Sequence, residues 1–383
     1  MTRTHVVVIG AGYAGTLAAN HLRIRPDVDV TVVNPRPMFV ERIRLHQYAA
    51  GTGQATVDYG TLLADGVQLV VDTAERIDAG ERTVTLASGG ALNYDYLVYA
   101  VGSSTAAPEF AYAIGEFEQA RRLREALDEL DPDAPVTVVG GGLTGIEMAS
   151  ELAAQGRQTT LICGGVLGPS LSGPGRRSVA RALSRLQVDV AEMASVAEVR
   201  ADAVVLGSPR SGTVVPSAVT IWTAGFGVPA LAANSGLATD PLGRLLTDET
   251  LTSIDNPRIV AAGDAGAPSG QPLRMSCQAA EPLGVQAANT VLSRIAGTEP
   301  AVLNQAFTGQ CISLGRCAAT IQLARRDDTP INAFVGGRLA ALIKEAICRG
   351  TVWAIRREAA KPGSYRWLKG GDRPAPVGQG AVV

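Results

Sequence analysis

At 383 residues the chain is too long for one hydrophobic core and suits two or three domains. Its composition, 46% hydrophobic and 18% charged, is that of a globular protein, and a formal net charge of −2 supplies no general attraction to nucleic acid or anionic lipid, so polyanion partners are not expected. Five scattered cysteines, Cys163, Cys277, Cys311, Cys317 and Cys348, form no CxxC pair and argue against a disulfide framework.

The run Val6-Val7-Val8-Ile9 predicts a strand. Gly10-Ala11-Gly12-Tyr13-Ala14-Gly15 then predicts a tight turn opening a small-residue helix, and the stretch Asp29 to Val33 a return strand ending at Asn34. The glycines interrupt the apolar stretch Val6 to Ala19, and no apolar run approaches the roughly 20 residues of a spanning helix, so the expected location is cytoplasmic. In such a βαβ unit the glycines let the backbone approach a pyrophosphate, and the first amides of the helix point at its charge. Asn34 stands where an acid usually accepts a ribose hydroxyl; its side-chain carbonyl offers a neutral substitute. Residues 56–98 read as β-rich and end at Ala100-Val101-Gly102, a charged helical stretch covers 117–130, and a domain entry falls near residue 109.

The pattern then repeats. Val136-Thr137-Val138-Val139 leads into Gly140-Gly141-Gly142-Leu143-Thr144-Gly145, and a return strand ends at Cys163. The spacings agree, 24 residues from Gly10 to Asn34 and 23 from Gly140 to Cys163. The strand ending at Ala224-Gly225 echoes the one ending at Gly102, which marks an internal duplication. Asn256 to Asp264 predicts a strand ending in Gly263-Asp264, where open α/β sheets bind ligands; an N-cap is the plainer role for that carboxylate. Helices are expected over 276–295 and 336–359, with a strand-like stretch at 311–323 and a flexible tail from Pro362. Glu147, in the first turn of its helix, fits either a dipole interaction or a cofactor contact. In the last helix Leu339, Leu342, Ile343, Ala346 and Ile347 recur at helical spacing amid arginines, which fits packing on its own domain, a homodimer contact or peripheral membrane contact.

Two loops that each hold a dinucleotide point to electron transfer between the two. With GGGLTGIE, WTAG and AAGDA in order behind the first loop, the chain resembles the FAD-dependent pyridine nucleotide oxidoreductases, and among them the type II NADH dehydrogenases and apoptosis-inducing-factor-like flavoproteins. The resemblance implies an α/β fold of two Rossmann-like dinucleotide-binding domains, glutathione-reductase-like, with the NAD(P) domain (109–225) inserted in the FAD domain (1–108 and 226–310), then a small C-terminal α+β segment (311–361) and the tail (362–383). It implies that Gly10, Gly12, Tyr13, Ala14, Gly15, Asn34, Arg42, Ala100, Gly102, Gly263 and Asp264 surround FAD. Gly140, Gly142, Leu143, Thr144 and Gly145 would hold NAD(P)H as substrate, with Glu147, Ala224 and Gly225 near the nicotinamide. Hydride transfer between stacked cofactors requires no side-chain acid or base, so no further catalytic residue and no metal are expected.

Three departures bear on function. The redox-active cysteine pairs of flavin disulfide reductases are missing, so electrons would leave the flavin directly, to a quinone or other small acceptor. Cys163-Gly164-Gly165 carries neither the acid of NADH-selective relatives nor a basic cluster, although Arg176 and Arg177 could reach a 2′-phosphate. Pro282-Leu283 replaces a glutamine pair found in quinone-reducing relatives. Reduction of a small redox protein and a redox-sensing flavoprotein with little turnover are the alternatives; sulfide oxidation, needing two cysteines such as Cys163 and Cys317 at the flavin, ranks last.

Overall fold

The structure, a computed structural model, describes residues 3–371 and 373. In chain order the first unit contains β1 (Thr4–Ile9), α1 (Tyr13–Leu22), β2 (Val28–Asn34), β3 (Val67–Val71) and β4 (Tyr96–Tyr99). The second contains β5 (Ala111–Ala113), α2 (Phe117–Asp128), β6 (Val136–Val139), α3 (Leu143–Ala154), β7 (Thr159–Ile162), α4 (Gly173–Arg185), β8 (Asp189–Ala191) and β9 (Val219–Trp222). The chain then supplies β10 (Ile259–Ala261) and α5 (Cys277–Ile295), and closes with β11 (Gly309–Ser313), β12 (Ala319–Ala324), β13 (Pro330–Gly336) and α6 (Gly337–Ala360).

Strands buried on both faces read as unbroken β-branched runs, and Val6 to Ile9 and Val136 to Val139 are buried throughout. Each run forms the middle strand of a five-stranded parallel sheet. The orders are β10-β4-β1-β2-β3 and β5-β9-β6-β7-β8. Either way the loop-bearing strand lies between its return strand and the strand that ends in the small-residue-plus-glycine turn. Sheet one is completed only by β10, which follows the whole second unit, so the second unit is an insertion in the first. The two crossings run side by side: Ser104 and Gly227 exchange both backbone hydrogen bonds at 2.9 Å. The strand-like stretch expected over 311–323 is two strands, β11 and β12, which with β13 form an antiparallel sheet carrying α6.

Every residue of α1 is buried, because α5 and α6 cover the sides that β1 leaves open. At the α1–α5 crossing a Cβ on Gly284 would strike the Ala14 carbonyl, so glycine sets the approach of α5 to the first loop. His21 anchors α1 from its other end: Nδ1 meets Glu358 of α6 at 2.6 Å and Nε2 meets Asn289 of α5 at 2.9 Å. Glu358 is fully buried; burial alone would raise its pKa, but the His21 ring and the Gly363 and Tyr365 N–H groups hold it below the usual glutamate value.

Two expectations need correction. The tail from Pro362 is packed over its described part: Tyr365 and Trp367 lie against the first core, Tyr365 donates to Glu281 at 3.0 Å and Trp367 Nε1 to the Asn304 carbonyl at 2.9 Å. Residues 372 and 374–383 lie outside the described residues. The apolar stripe of α6 does not pack on its own domain, because Leu339, Leu342 and Ile347 are exposed while Ala340, Lys344, Cys348, Val352 and Ile355 face inward.

Gly284→Ala is expected to destabilise the protein by about 2 kcal/mol, since the added methyl meets backbone rather than a side chain that can rotate away. Denaturant titration of the variant checks this; an unchanged midpoint would mean that the α1–α5 contact is looser than it stands here.

Candidate functional site

The two glycine loops have one construction. Gly10 and Gly140 adopt positive φ, +94° and +125°, and a Cβ on either would collide with the neighbouring strand end, the Ala100 carbonyl in the first case and the Thr223 hydroxyl in the second. A Cβ on Gly15 or Gly145 would collide with the carbonyl of the first glycine. The middle glycines differ, because a Cβ on Gly12 or Gly142 would meet nothing within 4 Å. The first and third glycines therefore close strand, turn and helix on one another, and the second leaves the amides of α1 and α3 open to a ligand.

At the first loop, Ala11 is clamped. Its carbonyl accepts from Tyr59 Oη at 2.7 Å and Thr16 Oγ1 at 2.9 Å, and its N–H donates to Asn34 Oδ1 at 3.1 Å. Asn34 Nδ2 donates to the Arg36 carbonyl, so this side chain braces the loop from the end of β2. A cavity of about 290 Å³ runs from Gly10 and Gly12 past Asn34 and Arg42 to Ala100, Gly102 and Ser103, and on to Glu116 of the inserted unit. Arg42 Nη1 donates to the Ser103 carbonyl at 2.9 Å and hydroxyl at 3.0 Å, and Ser103 Oγ donates to Asp264 Oδ2 at 2.7 Å. Three segments remote in sequence thus meet at one point. Burial pushes the Asp264 carboxyl up from its usual value, while the Ser103 hydroxyl and the Arg42 and Arg244 charges pull it down. Gly263, at φ +68°, seats this turn against Ala14 and Ala280. Tyr13 and Ala14 point into the core rather than the cavity, and Tyr13 stacks edge-on against Phe39 at 5.1 Å.

At the second loop, Leu143, Thr144 and Gly145 form the first turn of α3, and Ala224-Gly225 lies beside Gly140. Cys163 is buried under Gly141, where a Cβ would stand 2.6 Å from its sulfur, and burial raises this thiol to about 12. Glu147 has a partner that sequence reading missed. Its Oε1 accepts from the Lys344 ammonium of α6 and from Ser313 N at 2.9 Å, and His46 Nδ1 stands 3.7 Å from Oε2. Burial, reinforced by Lys344, Arg316 and Arg44, holds His46 well below its usual pKa, so that ring is neutral. Burial also lowers Lys344, to about 8. The carboxylate expected near the nicotinamide is therefore committed to a junction of the first unit, the inserted unit and the C-terminal segment. Ser103 had no motif to betray it, and Lys344 hid inside a helix whose pattern drew attention to its apolar residues.

Residues 4–284 match the pyridine nucleotide-disulphide oxidoreductase family. The chain belongs to that family. It is similar to an NADH dehydrogenase-like protein of Mycobacterium tuberculosis, 31% identical over 88% of this chain and 98% of the relative, and to the type II NADH:quinone oxidoreductase of the same organism, 28% identical over 78% and 74%. Among solved structures, the sulfide:quinone oxidoreductase of Aquifex aeolicus superposes with a TM-score of 0.81 at 22% identity, covering 94% of this chain and 93% of that one. This family member is a flavin-dependent NAD(P)H oxidoreductase, with FAD as cofactor and NAD(P)H as substrate. The structure suits both groups, since each has an open middle glycine at a helix N-terminus.

Asp264→Ala or Arg42→Ala should weaken FAD retention by roughly tenfold or more, because each removes one end of the Ser103 chain; flavin absorbance per protein after gel filtration is the check. Lys344→Met should destabilise the fold by about 2 kcal/mol by leaving the half-buried Glu147 carboxylate without its charged partner, and Glu147→Gln in the same chain should restore most of it. Equal losses in single and double variants would show that the pair is not coupled.

Proposed function

We propose that this chain is an NAD(P)H:quinone-type dehydrogenase, in which the discontinuous first unit (1–108 and 226–310) holds FAD and the inserted unit (109–225) holds NAD(P)H. Bound FAD supplies hydride acceptance and the onward release of electrons. The chain's own residues position. Gly10, Gly12, Gly15 and the α1 amides would take the pyrophosphate, and the Arg42–Ser103–Asp264 chain would fix the cofactor between its phosphates and its ring. Gly140, Gly142 and the α3 amides would take the second nucleotide, with Ala224-Gly225 closing over its reacting end. The Ser104–Gly227 bridge ties the two crossings between the units together, which supports a fixed relation between the two dinucleotides in this reading.

The observation that carries this reading is the duplicated open loop combined with five free cysteines, none in a redox pair. Electrons arriving at the flavin then have no internal thiol relay, and a small external acceptor must take them. The quinone named for the relatives fits the exposed face of α6, where Leu339, Leu342, Ile343, Ile347 and Trp353 stand among Arg338, Arg349, Arg356 and Arg357. Such a face supports peripheral contact with a lipid surface, where an apolar acceptor dissolves. No helix among the described residues is long and apolar enough to cross a membrane.

Anaerobic mixing of the FAD-loaded protein with NADH or NADPH should bleach the flavin, and a quinone analogue should restore its colour faster than oxygen does. A long-lived reduced complex that quinone does not reoxidise would favour a redox-sensing role, and reoxidation only by a small iron–sulfur protein would favour the redox-protein reductase. The same quinone-reactive preparation should sediment with anionic vesicles, and Leu342→Glu should abolish that while sparing bleaching; loss of a dimer instead would assign the stripe to a subunit contact.

A further inference from the structure

Family members that select NADH place an acid at the end of the strand after the second loop, and here that position is Cys163-Gly164-Gly165. The structure explains why no side chain there can serve. Cys163 is buried beneath the loop, and a Cβ on Gly164 or Gly165 would meet nothing within 4 Å, so this rim beside Gly141 carries bare backbone facing open space. A carboxylate nevertheless reaches the rim from the adjoining strand. Glu192 follows directly after β8, which pairs with β7 so that Cys163 N donates to the Ala191 carbonyl at 2.8 Å. Glu192 Oε1 accepts from Leu167 N in the same loop, and the flanking backbone binds it too: Met193 N donates to the Gly165 carbonyl and Ala194 N to the Cys163 carbonyl, both at 2.9 Å. Glu192 is otherwise exposed, Oε2 makes no hydrogen bond within the described residues, and the carboxylate lies close enough to raise the Cys163 thiol.

We propose that Glu192, just after β8 rather than on the loop-bearing βαβ unit, supplies the acid that accepts the adenosine 2′-hydroxyl and repels a 2′-phosphate, so that the second loop selects NADH over NADPH. This rests on the assignment of that loop to NAD(P)H. The physical case is geometric and electrostatic. The 163–168 rim abuts the second loop at Gly141, whose Cβ position lies against Cys163 and the Val166 carbonyl, and the carboxylate bonded to that rim, at Leu167 N, is Glu192. A carboxylate accepts a hydroxyl hydrogen bond, whereas a phosphate dianion beside it is repelled and offers no proton. The arginines that could reverse the sign, Arg176 and Arg177, sit at the start of α4, which Ser172 and Ser178 tie to Gln322 and Thr320 of β12.

Calorimetric titration of the FAD-loaded protein with the oxidised nucleotides NAD⁺ and NADP⁺ tests this without turnover. Wild type should bind NAD⁺ about tenfold or more tightly than NADP⁺, the range of one charged hydrogen bond. Glu192→Gln should narrow that ratio at least tenfold chiefly by tightening NADP⁺, and Glu192→Ala should narrow it while also weakening NAD⁺. Preference of wild type for NADP⁺, or a Glu192→Ala protein in which both affinities fall by one factor, would overturn the inference; the latter leaves Glu192 as a brace for Leu167. Failure of wild type to bind either nucleotide would instead overturn the assignment of the second loop, and the role of Glu192 with it.

Discussion

The contact on which this architecture depends is the meeting of a glycine turn with the end of the adjacent strand. Gly10 sits so tightly on the Ala100 carbonyl, and Gly140 on Thr223, that no side chain can intervene. That contact fixes where each helix begins relative to its sheet, and hence where its free amides point. It also explains why the small-residue-plus-glycine strand ends recur. Ala100-Val-Gly102 and Ala224-Gly225 are the opposing halves of the two turns, and each glycine, at φ +72° and +74°, turns the chain away from the ligand space. Each loop is thus a two-segment device, and its second segment arrives about 80 to 90 residues after the first.

The same logic distinguishes two units that look alike. In the first, the turn is completed a third time from far downstream, by Gly263-Asp264 and by α5, whose Gly284 presses on Ala14. A group held by segments at residues 10, 42, 103 and 264 is bounded by stretches remote from one another in sequence. In the second unit the loop is bounded by β7 and β9 with the 163–168 rim, and Gly142, Gly164 and Gly165 there face open space. In the proposed reading, the resident ligand takes the site closed by more remote segments.

Much of this was legible in the sequence because the signals are short-range. Two β-branched runs, two glycine loops and two matching return distances locate both sheets' central strands, and Gly263-Asp264 announces itself at a strand end. What stayed hidden depends on contacts that sequence order does not carry. Ser103 acquires meaning only because Arg42 and Asp264 arrive on either side of it. Lys344 reads as one cation of a basic helix until folding buries it against Glu147. The tail after Pro362 has the glycine and proline content of a flexible segment, yet Tyr365 and Trp367 bind it to α5 and to Asn304. The amphipathic spacing of α6 was visible, but its direction was not: burial went to the stripe containing Lys344, Cys348 and Ile355, and the more hydrophobic stripe was left outside.

That inversion bears on how the molecule joins its two halves of chemistry. α6 buries a lysine and a glutamate while exposing leucines, which leaves the hydrophobic stabilisation of those leucines unused within the chain. Its buried face is instead used to join units: Lys344 reaches Glu147 of the inserted unit, Glu345 reaches Arg44 and Glu358 reaches His21 of the first. One helix therefore clamps both nucleotide-binding units from a single side and presents an apolar surface on the other. With the cysteines all free, the proposed reading sends the electrons to an external acceptor, and the outer face of the clamp is the apolar surface which that reading assigns to the acceptor's side.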